Sequence, residues 1–328
     1  MKTTKKISIA FKLLEANLLK KRSPVIVSWL LTYRCNQRCL YCDSWKMKTT
    51  EMETEKILSL ITEMKQSGTQ VLHLTGGNPL LRDDIGTIIE HAKKNNVVID
   101  INSNGSLVKE KINQLTGLDL LTLSFDGPEK IHDFIRGNGS YNNIMEAVEI
   151  AKKKKLKLRF NTVLSKFNLD KIEFILNKAK EFKIPVSFQP ARLRTLAGLE
   201  MNPVISEETD YKRTINNLIL EKKKNNYIVN SITGLKYLYN WPNPTKIKCV
   251  NSLIICRLQP NGDMYGCGRN FIISKNVPNV IELGFKNSFD KLNYITCKEC
   301  WCASFIELNY LFQFNLDTIL NIIKINLL

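Results

Sequence analysis

Three cysteines, Cys35, Cys39 and Cys42, fall within eight residues of TYRCNQRCLYCDSW at spacing C-x3-C-x2-C, in a 328-residue chain with only three histidines. Thiolates this close together are soft ligands, suited to zinc or to an iron-sulfur cluster. A structural zinc takes four protein ligands, and here the fourth would have to come from distant sequence. A four-iron cluster held by three cysteines leaves one iron open to a substrate or cofactor. The loop is polar around its first two thiols, with Arg34, Asn36, Gln37 and Arg38, which suits an exposed, liganded cluster better than a compact zinc knuckle. Six further cysteines return only after Lys248, as Cys249, Cys256, Cys267, Cys297, Cys300 and Cys302. Cysteine usage of this kind in a chain read as cytoplasmic argues for metal or redox chemistry rather than disulfides. It predicts one metal centre at each end, with zinc as the alternative for the second, since paired thiolates bind it well.

Between the two groups, β-rich runs alternate with helical stretches, the rhythm of βα units on a parallel sheet. The expected strands are 24–32, 70–77, 97–105, 120–127, 155–164 and 184–190, with helices over 51–67 and near 82–95. Six units are too few to close an eight-stranded barrel, so the fold class is α/β, a partial (β/α)6 TIM-type barrel or an open doubly wound sheet. Either architecture puts function at the C-terminal ends of the strands. There lie the cysteine loop, Thr75-Gly76-Gly77-Asn78-Pro79, Ser103-Asn104-Gly105 and Ser124-Phe125-Asp126-Gly127. The expected organisation is an N-terminal helical extension (1–22), the barrel (23–190), a connector with a helix over 207–225 (191–245) and a small cysteine-rich domain (246–328). That last part should contain a hairpin around Asn261–Gly266 and a closing amphipathic helix over 305–328.

Composition narrows the function classes. The formal charge is +17, from 48 Lys and Arg against 31 Asp and Glu, but the lysines are spread over many helix faces. A solvated surface is therefore favoured over a nucleic-acid groove, and an acidic peptide substrate is a third use for the charge. No apolar run reaches the length of a membrane span. The basic start, MKTTKKISIAFKLLEANLLKK, is interrupted by Lys12 and Glu15 and is not a secretory signal. A cytoplasmic enzyme is expected.

CNQRCLYC, placed after one strand and before five more βα units, resembles the radical S-adenosylmethionine (radical SAM) superfamily over roughly 24–190. The resemblance implies a 4Fe-4S cluster on Cys35, Cys39 and Cys42, with S-adenosylmethionine chelating the open iron. One-electron reduction would then yield a 5′-deoxyadenosyl radical that removes a substrate hydrogen, with an electron donor such as a flavodoxin or ferredoxin. It also implies cofactor contacts from Tyr41, from Gly76, Gly77 and Asn78 toward the methionyl amine, and from Ser103 and Asn104 toward the ribose and carboxylate. Ser124, Asp126, Arg136 and Gln189 follow as further cofactor or substrate contacts. Asn78 stands where that family usually has glutamate, and a neutral amide lacks the charge assistance of a carboxylate.

In the C-terminal part, Cys249-x12-Gly262-x4-Cys267 followed by Cys297-x2-Cys300 is similar to the SPASM and twitch extensions, which carry auxiliary 4Fe-4S clusters. The longer family run is not completed. Six thiols cannot ligate two four-iron clusters, so one auxiliary cluster is expected, through Cys249, Cys267, Cys297 and either Cys300 or Cys302. The leading functional expectation is a peptide- or protein-modifying radical SAM enzyme, although only about twenty residues precede the first strand, short for a leader-peptide recognition domain. The rivals are a small-molecule dehydrogenase or carbon-bond-forming enzyme and, from a different class, a non-catalytic metal-binding module associated with nucleic acid.

Overall fold

The computed structural model describes residues 3–19, 21–195, 200–267, 277–293 and 300–325. After α1 (Thr3–Leu18) come six strands: β1 (Ile26–Thr32), β2 (Val71–Gly76), β3 (Val98–Ser103), β4 (Leu120–Ser124), β5 (Leu158–Leu164) and β6 (Val186–Pro190). They pair in parallel and in chain order. The crossovers are α2 (Thr54–Gln66), α3 (Ile85–Lys94), the short α4 (Val108–Lys111), α5 (Glu129–Arg136) with α6 (Ser140–Lys153), and α7 (Ile172–Phe182). Each long crossover helix buries one stripe at helical spacing. In α2 it is Ile57, Leu60, Ile61 and Met64, and in α3 it is Ile85, Ile88, Ile89 and Ala92, the repeat that seats a helix on a sheet.

The sheet does not stop at six strands. β7 (Ile255–Leu258) pairs in parallel with β1, and β8 (Met264–Tyr265) pairs antiparallel with β7, giving the order β6-β5-β4-β3-β2-β1-β7-β8. The hairpin expected at Asn261–Gly266 is thus the outer edge of the barrel's own sheet. At the other edge Tyr227–Val229 continues beyond β6 through Val186 N–H to Tyr227 O and Val229 N–H to Val186 O, at 2.7 and 2.8 Å. Asn230 then clamps Phe188 by accepting from its N–H at 2.8 Å and donating to its carbonyl at 2.9 Å. The stretch expected to be a connector carries α8 (Glu208–Lys224) and also α9 (Ile232–Leu238), which was not anticipated.

The expected single C-terminal helix is two, Ala303–Phe312 and Leu316–Ile325. The break falls at Phe314, whose φ of 57° is left-handed, and Asn315 restarts the helix by accepting from the Thr318 N–H at 3.0 Å. Asparagine is a favoured N-cap, so the break has a local sequence cause. Among the described residues, no helix is long and apolar enough to cross a membrane.

The two faces of the sheet differ in chemistry. Val27, Trp29, Leu31, Leu72, Leu74, Ile99, Ile101, Leu121, Leu123, Phe160, Phe188 and Leu258 are buried in the main core with the helix stripes. The opposite face carries Ser28, His73, Asp100, Asn102, Thr122, Ser124, Arg159, Asn161, Ser187, Gln189 and Arg257. Parallel strands covered on both faces read as continuous apolar runs. Alternation along seven strands, interrupted on the polar side by Leu30 and Val163, therefore marks a sheet with helices on one side and a largely polar concavity on the other.

Candidate active site

The cysteine loop is fixed against the end of β2 by backbone contact. The Gly77 N–H donates to Thr32 O at 2.7 Å and the Asn78 N–H to Arg34 O at 2.9 Å. A Cβ on Gly76 would lie 2.2 Å from Thr32 O, and one on Gly77 would lie 2.0 Å from Arg34 O. Gly76 also sits at φ 125°, a conformation open only to glycine without strain. Both glycines are thus required by the close approach of two chains, which explains their place beside the thiols. Glu51 secures the far side of the loop, receiving Arg34 Nε and one terminal nitrogen, each at 3.0 Å.

Asn78 is wholly buried, and its amide is fully used. Its Oδ1 accepts from Ser103 Oγ at 3.1 Å and from the Leu80 N–H at 3.3 Å, while its Nδ2 donates to Asn36 Oδ1 at 3.3 Å and Asn104 Oδ1 at 3.1 Å. Asn104 Nδ2 donates in turn to Asn36 Oδ1 at 2.9 Å and reaches Cys35 Sγ at 4.0 Å. Neutral amides thus join the cysteine loop to the ends of β2 and β3. Asn78 therefore ties the cysteine loop to the strand ends at the position where the resemblance implies a cofactor contact.

From the other side the loop is held by charge. Arg136 Nε donates to Asp126 Oδ2 at 2.7 Å, Tyr41 OH donates to the same oxygen at 3.0 Å, and a terminal nitrogen of Arg136 donates to Tyr41 OH. The other terminal nitrogen lies 3.8 Å from Cys39 Sγ. Asp126 is fully buried and Arg136 nearly so, and Asp126 Oδ1 accepts from the Val163 N–H at 2.9 Å. Burial works against the charge on Arg136, yet Asp126, Tyr41 and Cys39 together hold its pKa above the ordinary arginine value. Burial pushes the Cys39 thiol up to about 11, with Arg136 acting in the opposite direction. Behind the pair, His132 Nδ1 accepts the Asp126 N–H at 3.1 Å, and burial together with Arg136 lowers its pKa to about 4.

The three thiols are unpaired and partly exposed. Cations and amide N–H groups aimed at sulfur are the surroundings that thiolate ligands of a cluster take, so the residues present fit an iron-sulfur group. Among the described residues, no set of three His, Cys, Asp or Glu stands as a site for a metal ion. The fit therefore rests on donor chemistry, spacing and place at the strand ends.

Cys300 lies within electrostatic range of Cys302, Cys249 and Cys267. Cys297 lies outside the described residues. Cys256 is fully buried in the apolar core, where burial raises its thiol pKa. Ser124 and Gln189 are half-buried on the concave face. The sequence reading missed that face. His73 Nδ1 meets Asp100, Asn102 Nδ2 lies 3.2 Å from His73 Nε2, and Arg159 Nε donates to Thr122 Oγ1 at 3.1 Å. Burial lowers Arg257 to about 10, with Arg192 acting in the same direction and Cys302 and Cys267 opposing. The signal that could have revealed these residues is the period-2 alternation of runs such as VLHLT, VIDIN and LRFNT.

A partial parallel barrel with a three-cysteine loop at the end of its first strand defines a class of cluster-binding barrels. The chain matches the profile of the radical SAM superfamily over residues 29–179. It is 29% identical over 167 residues to the AdoMet-dependent heme synthase of Methanosarcina barkeri, a match covering 48% of this chain and 48% of that protein. It is 23% identical over 257 residues to the mycofactocin maturase of Mycolicibacterium smegmatis, covering 75% of this chain and 64% of that one. The chain thus spans about half the length of the first relative and under two thirds of the second. Its fold superposes on Streptococcus suis SuiB bound to S-adenosylmethionine with a TM-score of 0.69 at 17% identity, over 86% of this chain and 68% of that one.

Proposed function

We propose that the chain is a radical SAM enzyme that modifies a peptide or protein. When bound, a 4Fe-4S cluster and S-adenosylmethionine would supply a 5′-deoxyadenosyl radical able to remove a substrate hydrogen. Cys35, Cys39 and Cys42 would hold that cluster, and Cys249, Cys267, Cys300 or Cys302, with Cys297, an auxiliary one. The chain's own contribution is placement. The Gly76-Gly77 approach and the Asn36-Asn78-Asn104 network set the loop from one side, and the Asp126-Arg136-Tyr41 unit sets it from the other. Arg136 and Asn104 direct donors at sulfur, which favours the thiolate form.

The observation that carries the catalytic reading is the three-thiol loop anchored at the strand ends. For the peptide substrate, the support is the extent of the match: the relative named a mycofactocin maturase aligns over 257 residues, well beyond 29–179, whereas the heme synthase aligns over little more than the barrel. SuiB, which shares the fold, has also been solved with its precursor peptide SuiA. The test is anaerobic reconstitution, followed by S-adenosylmethionine, dithionite and a library of short peptides. Formation of 5′-deoxyadenosine with a mass change in a peptide supports the reading, and zinc in place of iron with no cleavage refutes it.

A further inference from the structure

We infer that the concave face of the sheet is a substrate chamber whose floor binds an oxyanion, with Arg257 as its main ligand and Arg159 and Arg192 beside it. The inference deepens the proposed function by naming the chemical group of the substrate that the chamber recognises.

Arg257 projects from β7 on the polar face, between Cys256 and Leu258, which point into the core. Its Nε is shut off from solvent with no hydrogen-bond partner, and no carboxylate of the described residues pairs with it. Arg192, exposed after β6, adds positive charge to its surroundings and has no acidic partner among the described residues. Arg159 is held by one hydrogen bond to Thr122 and feels Asp100. Asp100, the one carboxylate on the named polar face, is already engaged by His73. Among its charged side chains the chamber therefore holds more arginine than carboxylate, with Arg159 and Arg257 half-buried and the Arg257 Nε shut off from solvent. A guanidinium nitrogen shut off from water without an acceptor is costly, and the planar fork of donors matches a carboxylate or phosphate. Such a group is retained where a ligand brings the missing acceptor.

Register places this subsite. Arg257 and His73 both align with Ser28, four residues before Thr32 at the end of β1. The anion would sit about 13 Å below the cysteine loop at ~3.3 Å per strand residue. That span suits an extended peptide of about four residues held by an acidic side chain or its terminal carboxylate.

Isothermal calorimetry on the reconstituted holoprotein tests this with three probes: the dipeptide Glu-Glu, its neutral counterpart Gln-Gln, and inorganic pyrophosphate. Glu-Glu should bind and Gln-Gln should not. Arg257→Gln should weaken Glu-Glu at least tenfold, Arg257→Lys less, and the exposed-surface control Lys153→Gln not at all. Tighter binding of pyrophosphate than of Glu-Glu, with the same loss in Arg257→Gln, would keep the oxyanion site and assign it to a phosphate-bearing substrate. Thermal melting guards against misfolding. Without ligand, Arg257→Gln should melt no lower than wild type and should lose the rise that Glu-Glu gives. Unchanged anion binding in Arg257→Gln, or none in wild type, would make Arg257 a counter-ion of the Cys267 and Cys302 thiolates and overturn the proposal. Formation of 5′-deoxyadenosine without substrate is measured separately, so failure of the radical SAM reading is distinguishable from failure of the anion site.

Discussion

Replacing Asp126 with asparagine changes almost no volume but removes the charge that Arg136 was built around. The amide oxygen can still accept from the Val163 N–H, which lies 2.9 Å from Oδ1. Its NH2 group would then face Arg136 Nε, now 2.7 Å from Oδ2, and Tyr41 OH, now at 3.0 Å. Donor would oppose donor, and a guanidinium that is 5% exposed would lose the carboxylate it is paired with. Removing one member of a buried pair costs about 3–5 kcal/mol, because the other charge stays buried and uncompensated. With a urea slope of roughly 3 kcal/mol/M for a chain of this size, Asp126→Asn should lower the unfolding midpoint by about 1–1.7 M. The double variant Asp126→Asn/Arg136→Met should recover a large part of the loss, with a coupling energy of roughly 2 kcal/mol or more. Urea melts of the metal-free protein at pH 7.5, followed by tryptophan fluorescence, measure both. A single-variant loss under about 1 kcal/mol, or a double variant no better than the single, would refute the view that these residues act as one unit.

Two further predictions follow the same logic. His132 titrates at about 4 in the fold against 6.5 outside it, because burial and Arg136 disfavour the imidazolium. Its contribution is therefore complete above pH 6.5 and is lost as pH falls from there through 4, by ~3 kcal/mol. His132→Gln should flatten that acid limb of the urea midpoint, and parallel curves for wild type and variant would count against it. Asn78→Asp removes two buried donors and sets a carboxylate against the oxygens of Asn36 and Asn104. It should cost about 1–3 kcal/mol, and a wild-type midpoint would mean that the amide network does not hold the loop.

Much of the fold was legible because it depends on local periodicity. Stripes such as Ile57, Leu60, Ile61 and Met64 announced helices, and the β-branched runs announced strands, in order and nearly in length. What the sequence hid was long-range. Nothing local says that Ile255–Leu258 returns to pair with β1, since that edge is chosen by tertiary packing, and Tyr227–Val229 likewise gains its place only from β6. At the site, the spacing of Cys35, Cys39 and Cys42 and the glycines at 76 and 77 were readable because thiolate spacing and close backbone approach each demand particular residue types. The contacts of Asn78 were hidden for the converse reason. Its partners, Asn36, Ser103 and Asn104, come from two other loops, and only the assembled geometry shows the amide network that joins them. The cations of the concave face were written in the alternation of VLHLT, VIDIN and LRFNT, but a parallel sheet is expected to be apolar on both sides, so the polar positions read as ordinary strand variation.

The central claim is that the loop of Cys35, Cys39 and Cys42 holds a four-iron cluster with one iron open to S-adenosylmethionine. Electron paramagnetic resonance of the dithionite-reduced, reconstituted protein, with and without S-adenosylmethionine, tests it most directly when wild type is compared with the Cys35→Ala/Cys39→Ala/Cys42→Ala variant. The account predicts that the wild-type signal changes on adding S-adenosylmethionine, and that the variant loses about four irons and that response while keeping its C-terminal metal. A variant with full iron content, or one whose signal still responds to S-adenosylmethionine, would contradict it.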